Sequence, residues 1–165
     1  MPVHDDRVLF EFLTLEGAQA GLSWSPVLAR REGYRRAFAD WDVAAICRFT
    51  SKRVDKLMLD AGIIRHRQKI ESTIGNARAF VAVQREFGSF DEYVWSFVGG
   101  APIVNARTAL RGIPAKAPES DALSKDLMKR GFRFVGSTIC YAYMQAMGMV
   151  DDHLVTCFRH TGNRR

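Results

Sequence analysis

The chain contains 165 residues, which is enough for one domain or for two small helical lobes with a proper core. It carries 24 basic and 18 acidic side chains, a net charge of +6 and a pI near 9.5, and this balance favours a polyanionic partner such as nucleic acid. No apolar run has the length of a signal peptide or a transmembrane helix, so we expect no membrane partner. The three cysteines are odd in number and lack paired spacing, which argues against a disulfide framework and predicts a cytoplasmic protein.

The first half of the chain predicts four helices from the spacing of its apolar residues and from its capping residues. The first three predicted starts have an Asp, a Ser-Pro pair and a Ser, and Gly62 and Gly88 end the third and fourth helices. The predicted ranges are Asp5 or Asp6 to 20, 27–38 after Ser25 and Pro26, 54–61 after Ser51, and 65–87 before Gly88.

The second half predicts helices at 91–98 after Ser89 and at 121–130 after Ser120. Between them, residues 99–118 hold three of the five prolines, so we predict an irregular connection there, the position of any link between two lobes. No segment alternates convincingly with the period of a strand. The sequence therefore predicts an all-α fold and a single domain over residues 1–165.

A glycine-containing turn from Phe134 to Thr138 opens directly into an apolar helix that ends near Gly148. Glycine lets a backbone approach a ligand closely, and the N–H groups that begin a helix form a site for a phosphate. The turn is therefore either a sequence-independent grip on a nucleic-acid backbone, centred on Gly136, Ser137 and Thr138, or only a connection between helices.

Within the first predicted helix, Glu16 shares one apolar stripe with its neighbours at helical spacing. A carboxylate on an apolar face is costly unless it is paired or acts on a ligand. Glu16 therefore has two interpretations. Either it is a helix-end residue whose carboxylate reaches solvent or pairs with an arginine, or it belongs to a ligand-binding site. Gly17, Gly21 and Trp24 follow it and favour a pocket for a flat, electron-poor ring, since an indole face attracts a cation. The other members of the stripe are Leu9, Phe12, Leu13 and Ala20.

Several strings of the chain, in collinear order, resemble the bacterial 3-methyladenine DNA glycosylase I family. They are LEG at 15–17, QAGLSW at 19–24, DAGIIRHR at 60–67, IGNAR at 74–78, VWSFV at 94–98, SDALS at 120–124 and the hairpin block at 131–154. The resemblance implies a helix-hairpin-helix DNA glycosylase fold with helical lobes flanking a base pocket. It also implies base-excision repair: the enzyme flips a cationic 3-methyladenine out of double-stranded DNA, hydrolyses its N-glycosidic bond and releases the free base. We expect a monomer.

The resemblance assigns roles to four residues near the end of the first helix. The catalytic carboxylate of the family falls on Glu16, which would contact the exocyclic amine of the flipped base. The aromatic residue that stacks on this base falls on Trp24. Gly21 and Leu22 would lie in the loop that enters the gap left by the extruded nucleotide.

The basic residues near the helix and hairpin starts are predicted to bind the DNA backbone as a cluster, although each alone is indistinguishable from a solvated surface charge. No hairpin lysine stands near Ser137 and Thr138, which argues against lyase activity and for a monofunctional hydrolase. The predicted cluster contains Arg65, His66, Arg67, Lys69, Lys129, Arg130 and Arg133.

The resemblance also implies a zinc site made of two Cys and two His, of which His153 and Cys157 would supply half. Their i,i+4 spacing places both on one face of a helix that we predict to begin at Asp151 and Asp152. The chain begins after the family's Glu-Trp-Gly-Val segment, so the other two zinc ligands, a Trp and two Tyr of the base pocket are absent. We expect a fragment, a misassigned start or a shortened variant, with an incomplete zinc site for which His160 or His4 is a poor substitute.

Asp151 itself has two interpretations. It occupies the position at which helix-hairpin-helix glycosylases in general carry a catalytic Asp, where a carboxylate could stabilise positive charge on the sugar. The methyladenine family usually has Asn there, and a helix N-cap, which we favour, would suit either residue. Two other functions stay open: a non-catalytic DNA-binding module that lost its pocket with the N-terminus, and a helical adaptor whose basic charge is incidental.

Overall fold

The computed structural model describes residues 1–163, and these residues form nine α-helices and one pair of very short strands, so the predicted all-α class is correct. The helices are α1 (Asp6–Gln19), α2 (Trp24–Leu28), α3 (Arg31–Ala37), α4 (Val43–Cys47), α5 (Ser51–Leu57), α6 (Arg67–Phe87), α7 (Phe90–Ser96), α8 (Pro118–Lys129) and α9 (Ser137–Ala146). The strands are β1 (Ile103–Val104) and β2 (Val150–Asp151). No helix within residues 1–163 has the length and apolar character needed to cross a membrane.

Helix α1 forms as the sequence predicts, because Asp5 caps it and its apolar residues recur at helical spacing. The Asp5 carboxylate accepts a hydrogen bond from the N–H of Val8 at 2.9 Å, which satisfies one of the free donors at the helix start. Leu9 and Phe10 are fully buried. The helix packs against α6, α7 and α9, which places it inside the core.

Helix α6 is the longest element and confirms the predicted helix at 65–87 to within two residues. His66 caps it with a ring nitrogen 3.3 Å from the N–H of Lys69, and Gly88 ends it at a φ of +92°. Its apolar face carries Phe80, whose ring stacks on Phe90 of α7 at 4.1 Å between centroids. Because α1, α4, α5 and α7 all contact α6, this helix is the central support of the core.

The predicted helix at 27–38 is broken in the structure into α2 and α3. The N–H of Arg30 bonds to the carbonyl of Val27 at 3.0 Å, while the Arg30 guanidinium takes the carbonyl of Pro26 at 3.1 Å. The side chain thereby replaces the backbone donor that a continuous helix would use. Helix α4 was not predicted, because five residues are too few to show a period.

Other predicted helix boundaries in this half also differ: α2 begins before Ser25, and α5 runs over Ser51–Leu57 rather than over 54–61. Beyond α5, the Asp60 carboxylate accepts from the N–H of Gly62 at 2.7 Å and fixes a turn.

Residues 99–118 are irregular as predicted, apart from β1 and a 3-10 turn at Leu110–Gly112. Strand β1 runs parallel to β2, with Ile103 opposite Val150 and Val104 opposite Asp151. The helix predicted to begin at Asp151 is therefore wrong: this backbone is extended and bonded to the connection, the N–H of Asn105 lying 2.9 Å from the carbonyl of Asp151. The buried apolar side chains form one cluster; that residues 1–165 are a single domain stays a prediction.

Candidate functional site

Glu16 lies on the buried face of α1, one turn after Leu13, and is only 1% exposed. Its oxygen Oε2 is buried and has no hydrogen-bond partner among residues 1–163. Burial raises the pKa of the Glu16 carboxyl to about 8. The side chain therefore neither reaches solvent nor meets an arginine, which were the structural interpretations of its sequence position. A buried acid without a partner is costly for folding and typical of a group that acts on a ligand.

The turn after α1 presents an apolar side chain on an exposed loop. Gly21 has a φ of +76°, which favours glycine, and a side chain there would meet no atom within 4 Å. Leu22 follows and is 42% exposed. Gln19 donates from its side chain to the carbonyl of Leu22 at 2.5 Å, which holds the turn closed. Trp24 then begins α2, half-buried against the core, so the loop lies directly between Glu16 and Trp24 in the chain.

The hairpin between α8 and α9 has the open glycine turn that the sequence predicts. Gly136 is the N-cap of α9, no side chain of residues 1–163 caps this helix, and a Cβ at Gly136 would meet no atom within 4 Å. The first N–H groups of α9 are thus available to an anion. Thr138 is exposed, whereas the hydroxyl of Ser137 lies 2.9 Å from that of Ser120 and is engaged within the hairpin.

Of the seven basic residues in the predicted cluster, His66 caps α6 and the other six divide into two groups. Arg65, Lys129 and Arg133 are exposed, and their side chains form no ion pair within residues 1–163. Three others already use their donors inside the chain: Arg67 pairs with Asp55 and Glu71, Arg130 with Glu86 and Asp126, and Lys69 bonds to the carbonyls of Ala18 and Ala20.

The family model of the methyladenine glycosylases matches residues 1–160. This chain belongs to the methyladenine glycosylase family. The DNA-3-methyladenine glycosylase 1 of Escherichia coli (strain K12) is 49% identical over 164 residues, which cover 99% of this chain and 88% of that protein. The DNA-3-methyladenine glycosylase of Haemophilus influenzae is 49% identical over 156 residues, covering 94% of this chain and 84% of that protein.

Solved structures of the family have the same fold. A crystal structure of 3-methyladenine DNA glycosylase I superposes with a TM-score of 0.94 at 50% identity, covering 97% of this chain and 88% of that one. The enzyme of Staphylococcus aureus, solved to explain its recognition of 3-methyladenine, superposes with a TM-score of 0.93 at 32% identity and covers 95% of this chain and 84% of that one. The helix-hairpin-helix glycosylase fold predicted from the sequence is therefore correct.

The zinc ligands expected from the family are not brought together. His153 and Cys157 follow β2 in a chain of turns rather than on one helical face, and within residues 1–163 no three His, Cys, Asp or Glu side chains are arranged to hold a metal ion. A ring nitrogen of His153 lies 2.7 Å from the carboxylate of Asp151. His160 contacts the carbonyl of Asn105 at 3.2 Å. The described residues therefore do not fit a tetrahedral zinc site.

His4, the other suggested substitute ligand, is engaged elsewhere in the structure. Its ring stacks on Trp95 with 4.6 Å between centroids, and its Nδ1 lies 2.9 Å from the carboxylate of Asp91. This contact fixes the first residues of the chain against α7. His4 therefore serves the packing of the N-terminal segment.

Asp151 is not a helix N-cap, because no helix follows it. The carboxylate is 5% exposed and accepts from the N–H and the hydroxyl of Thr161 and from the N–H of His153. Although burial acts to raise it, these hydrogen bonds hold the pKa of Asp151 well below its usual range. Since both oxygens are used by the fold, the structure favours neither of the two roles considered from the sequence, and we assign Asp151 to structure.

Proposed function

We propose that this chain hydrolyses the N-glycosidic bond of 3-methyladenine in alkylated double-stranded DNA, as the first step of base-excision repair. Its family, and relatives at 49% identity that are named DNA-3-methyladenine glycosylases, support this activity. They do not favour a non-catalytic DNA-binding module. The observation that carries the proposal is the buried Glu16 carboxyl whose Oε2 has no partner within residues 1–163.

The chemistry follows from the charge of the substrate. N3-methylation makes the base cationic and weakens its bond to the sugar, so the leaving group needs no protonation. Water attacks C1′, the bonding electrons pass to the base, and the neutral base leaves while a proton is released to solvent. Glu16 recognises the exocyclic amine and Trp24 stacks on the ring, a pairing that favours a cationic base over neutral adenine.

The protonation state of Glu16 adds to this selectivity. With a pKa of about 8, the carboxyl is mostly neutral at neutral pH before the base enters. A cation beside it lowers that pKa, because an opposite charge favours the ionised form. Binding of a cationic base therefore drives Glu16 to the carboxylate, whereas a neutral adenine gains no such ion pair.

The DNA is held by its backbone and opened by the loop after α1. Gly136, Ser137 and Thr138 present the N–H groups of α9 to a phosphate, and Arg65 and Arg133 add unpaired charge. Gly21 and Leu22 fill the gap left by the flipped nucleotide, whose extrusion costs a few kcal/mol and is cheaper for a damaged base. We further propose that the enzyme acts as a cytoplasmic monomer.

The test is release of 3-methyladenine from methylated duplex DNA by the parent and by Glu16→Gln. We expect the variant to fold and to bind undamaged duplex as the parent does, and to lose excision by about a hundredfold or more. Glu11→Gln is the matched control, because Glu11 lies on the same helix and pairs with Arg31 at 2.6 Å. Unchanged release by Glu16→Gln would contradict the assigned role of Glu16.

A further inference from the structure

Lys69, in the first turn of α6, holds the end of α1. Its ammonium donates to the carbonyl of Ala18 at 2.8 Å and to that of Ala20 at 2.6 Å. These carbonyls belong to the last turn of α1, where the backbone lacks helical donors. The next residues in the chain are Gly21 and Leu22, so Lys69 fixes the point at which this loop leaves the helix.

Asn76 holds the hairpin turn from the same helix. Its side-chain nitrogen donates to the carbonyl of Arg133 at 3.0 Å, and its oxygen accepts from the N–H of Arg133 at 2.9 Å. Asn76 is 5% exposed and lies two helical turns beyond Lys69, on the same face of α6. The buried side-chain amide of Asn76 thus bonds to both the N–H and the carbonyl of Arg133 in the turn.

Phe134, the next residue, connects the two anchors. It has a φ of +58°, a left-handed conformation that is strained for a bulky side chain and persists only where its surroundings impose it. The Phe134 ring lies 5.8 Å from the Lys69 ammonium, and its Cβ would be 3.3 Å from a Cβ at Gly17, the residue after Glu16. The hairpin turn therefore packs directly against the end of α1.

We propose that Lys69 and Asn76 are positioning residues, which make α6 a rigid spacer between the loop that enters the duplex and the turn that grips the phosphate. The inference rests on the proposed function, since it assumes that Leu22 and the N–H groups after Gly136 contact one DNA molecule. A fixed spacing sets the nucleotide that Leu22 displaces relative to the phosphate held at the hairpin. Lys69 then acts through the loop rather than by binding phosphate, because its donors already serve two carbonyls.

The first test compares Lys69→Met, Asn76→Ala and the double variant in single-turnover excision from methylated duplex. We expect each single change to slow excision about tenfold, from the loss of two hydrogen bonds. Because the spacing is lost once either anchor is removed, the double variant should be far less than about a hundredfold slower. Gln84→Ala, which removes another long-range side-chain bond of α6, should leave the rate unchanged. Multiplied losses in the double variant would overturn the proposal.

The second test uses two measurements, free-base binding and the salt dependence of duplex affinity. Loss of the fold would change both, whereas loss of positioning should change neither. Binding of free 3-methyladenine should stay within about twofold of the parent, since the base pocket is intact. The dependence of duplex affinity on salt should be unchanged in Lys69→Met, whereas Arg65→Met should lower its slope by about one phosphate contact. A lowered slope in Lys69→Met, or loss of free-base binding, would overturn the positioning role.

If Lys69→Met does not fold, Lys69→Gln replaces it with the same expectations. The parent is assayed first on the same methylated duplex. An inactive parent would contradict the proposed function, whereas an active parent with undiminished excision in both single variants would contradict this inference alone.

Discussion

Two regions of this protein bury carboxyl groups, and they treat them in opposite ways. Glu16, at the end of α1, is 1% exposed, and its Oε2 accepts no hydrogen bond from a described residue. Asp152, beside β2, is 6% exposed and accepts from the side chains of Asn105, Arg107, Tyr141 and Gln145. Burial raises the pKa of Glu16 to about 8; at Asp152 burial acts in the same direction, but hydrogen bonds from Tyr141, Arg107 and Gln145 lower the pKa.

The difference separates a group that serves the fold from one that is kept for a ligand. Asp152 ties the 99–118 connection to α9, and its desolvation is offset by four donors. Glu16 is desolvated without such compensation within residues 1–163, so the fold bears this cost for another purpose. Both residues are almost inaccessible to solvent, and the number of hydrogen-bond partners is what separates their roles.

At a fixed pH, the largest loss of stability is expected at Asp152. Asp152→Ala leaves Arg107, Asn105 and two further donors without their acceptor, so we expect the free energy of unfolding to fall by about 3 kcal/mol or more. Urea denaturation measures this. Asp55→Ala is the matched control, since its exposed pair with Arg67 should contribute less than about 1 kcal/mol. Equal losses of stability in the two variants would show that the buried Asp152 contributes no more to the fold than an exposed ion pair.

The next effect is the pH dependence that Glu16 gives to stability. Its folded pKa of about 8 exceeds the unfolded value, so the native state holds the extra proton between the two, and stability falls as pH rises through this window. The slope is about 1.4 kcal/mol per pH unit. Glu16→Gln should lack this slope, and below the unfolded pKa the two proteins should respond alike. Parallel curves from about pH 5 to about pH 7 would show that Glu16 is not desolvated.

A smaller effect is expected at the hairpin, where the groups without a partner within residues 1–163 are backbone N–H donors rather than a carboxyl oxygen. Gly136→Val places a branched side chain beside the first N–H groups of α9, at a position where an added Cβ meets no described atom within 4 Å. We expect affinity for every duplex sequence to fall about tenfold, because a backbone contact carries no sequence information. Gly75→Ala, also in open space, is the control. Parent-like binding at several salt concentrations would exclude the hairpin as the DNA grip.

Removal of metal ions by a chelator is expected to have no effect on stability. The segment after β2 is held by Thr161, His153 and their bonds to Asp151, and the described residues form no metal site. A strong chelator should therefore leave the unfolding temperature of the 165-residue protein unchanged. One tightly bound zinc per chain in elemental analysis would show that ligation, rather than hydrogen bonding, holds this segment.

The sequence predicts α1, α6 and the hairpin well because their signals are local. Asp5 caps a continuous apolar stripe, Gly88 ends a long periodic helix, and Gly131 separates α8 from the turn. The position of Glu16 on the apolar face of α1 was confirmed for the same reason. Its lack of a partner was beyond sequence reasoning, since an arginine from any other helix could have met it.

The sequence-based predictions are wrong where contacts between distant residues override the local conformational preference. Asp151 and Asp152 have the residue type of a helix start, yet β2 pairs with a segment that lies far away in sequence and keeps the backbone extended. The same limit applies to cations, because no pattern shows that Lys69 and Arg130 are used inside the chain. Asn76 gave a usable signal: a polar residue on the buried face of a long helix needs a partner, here Arg133.

The pairing of β1 with β2 has a consequence for the order of folding. Ile103 and Val150 can meet only after the intervening α8–α9 hairpin has brought its ends together, because closing a long loop is entropically unfavourable. We therefore expect the amide protons of Ile103 and Asn105 to become protected from hydrogen exchange late in refolding, after those of α6. During synthesis the N-terminus leaves the ribosome first, so residues 99–118 would stay unpaired until residue 150 had been synthesised. Proteolysis of nascent chains should therefore cut first within residues 99–118.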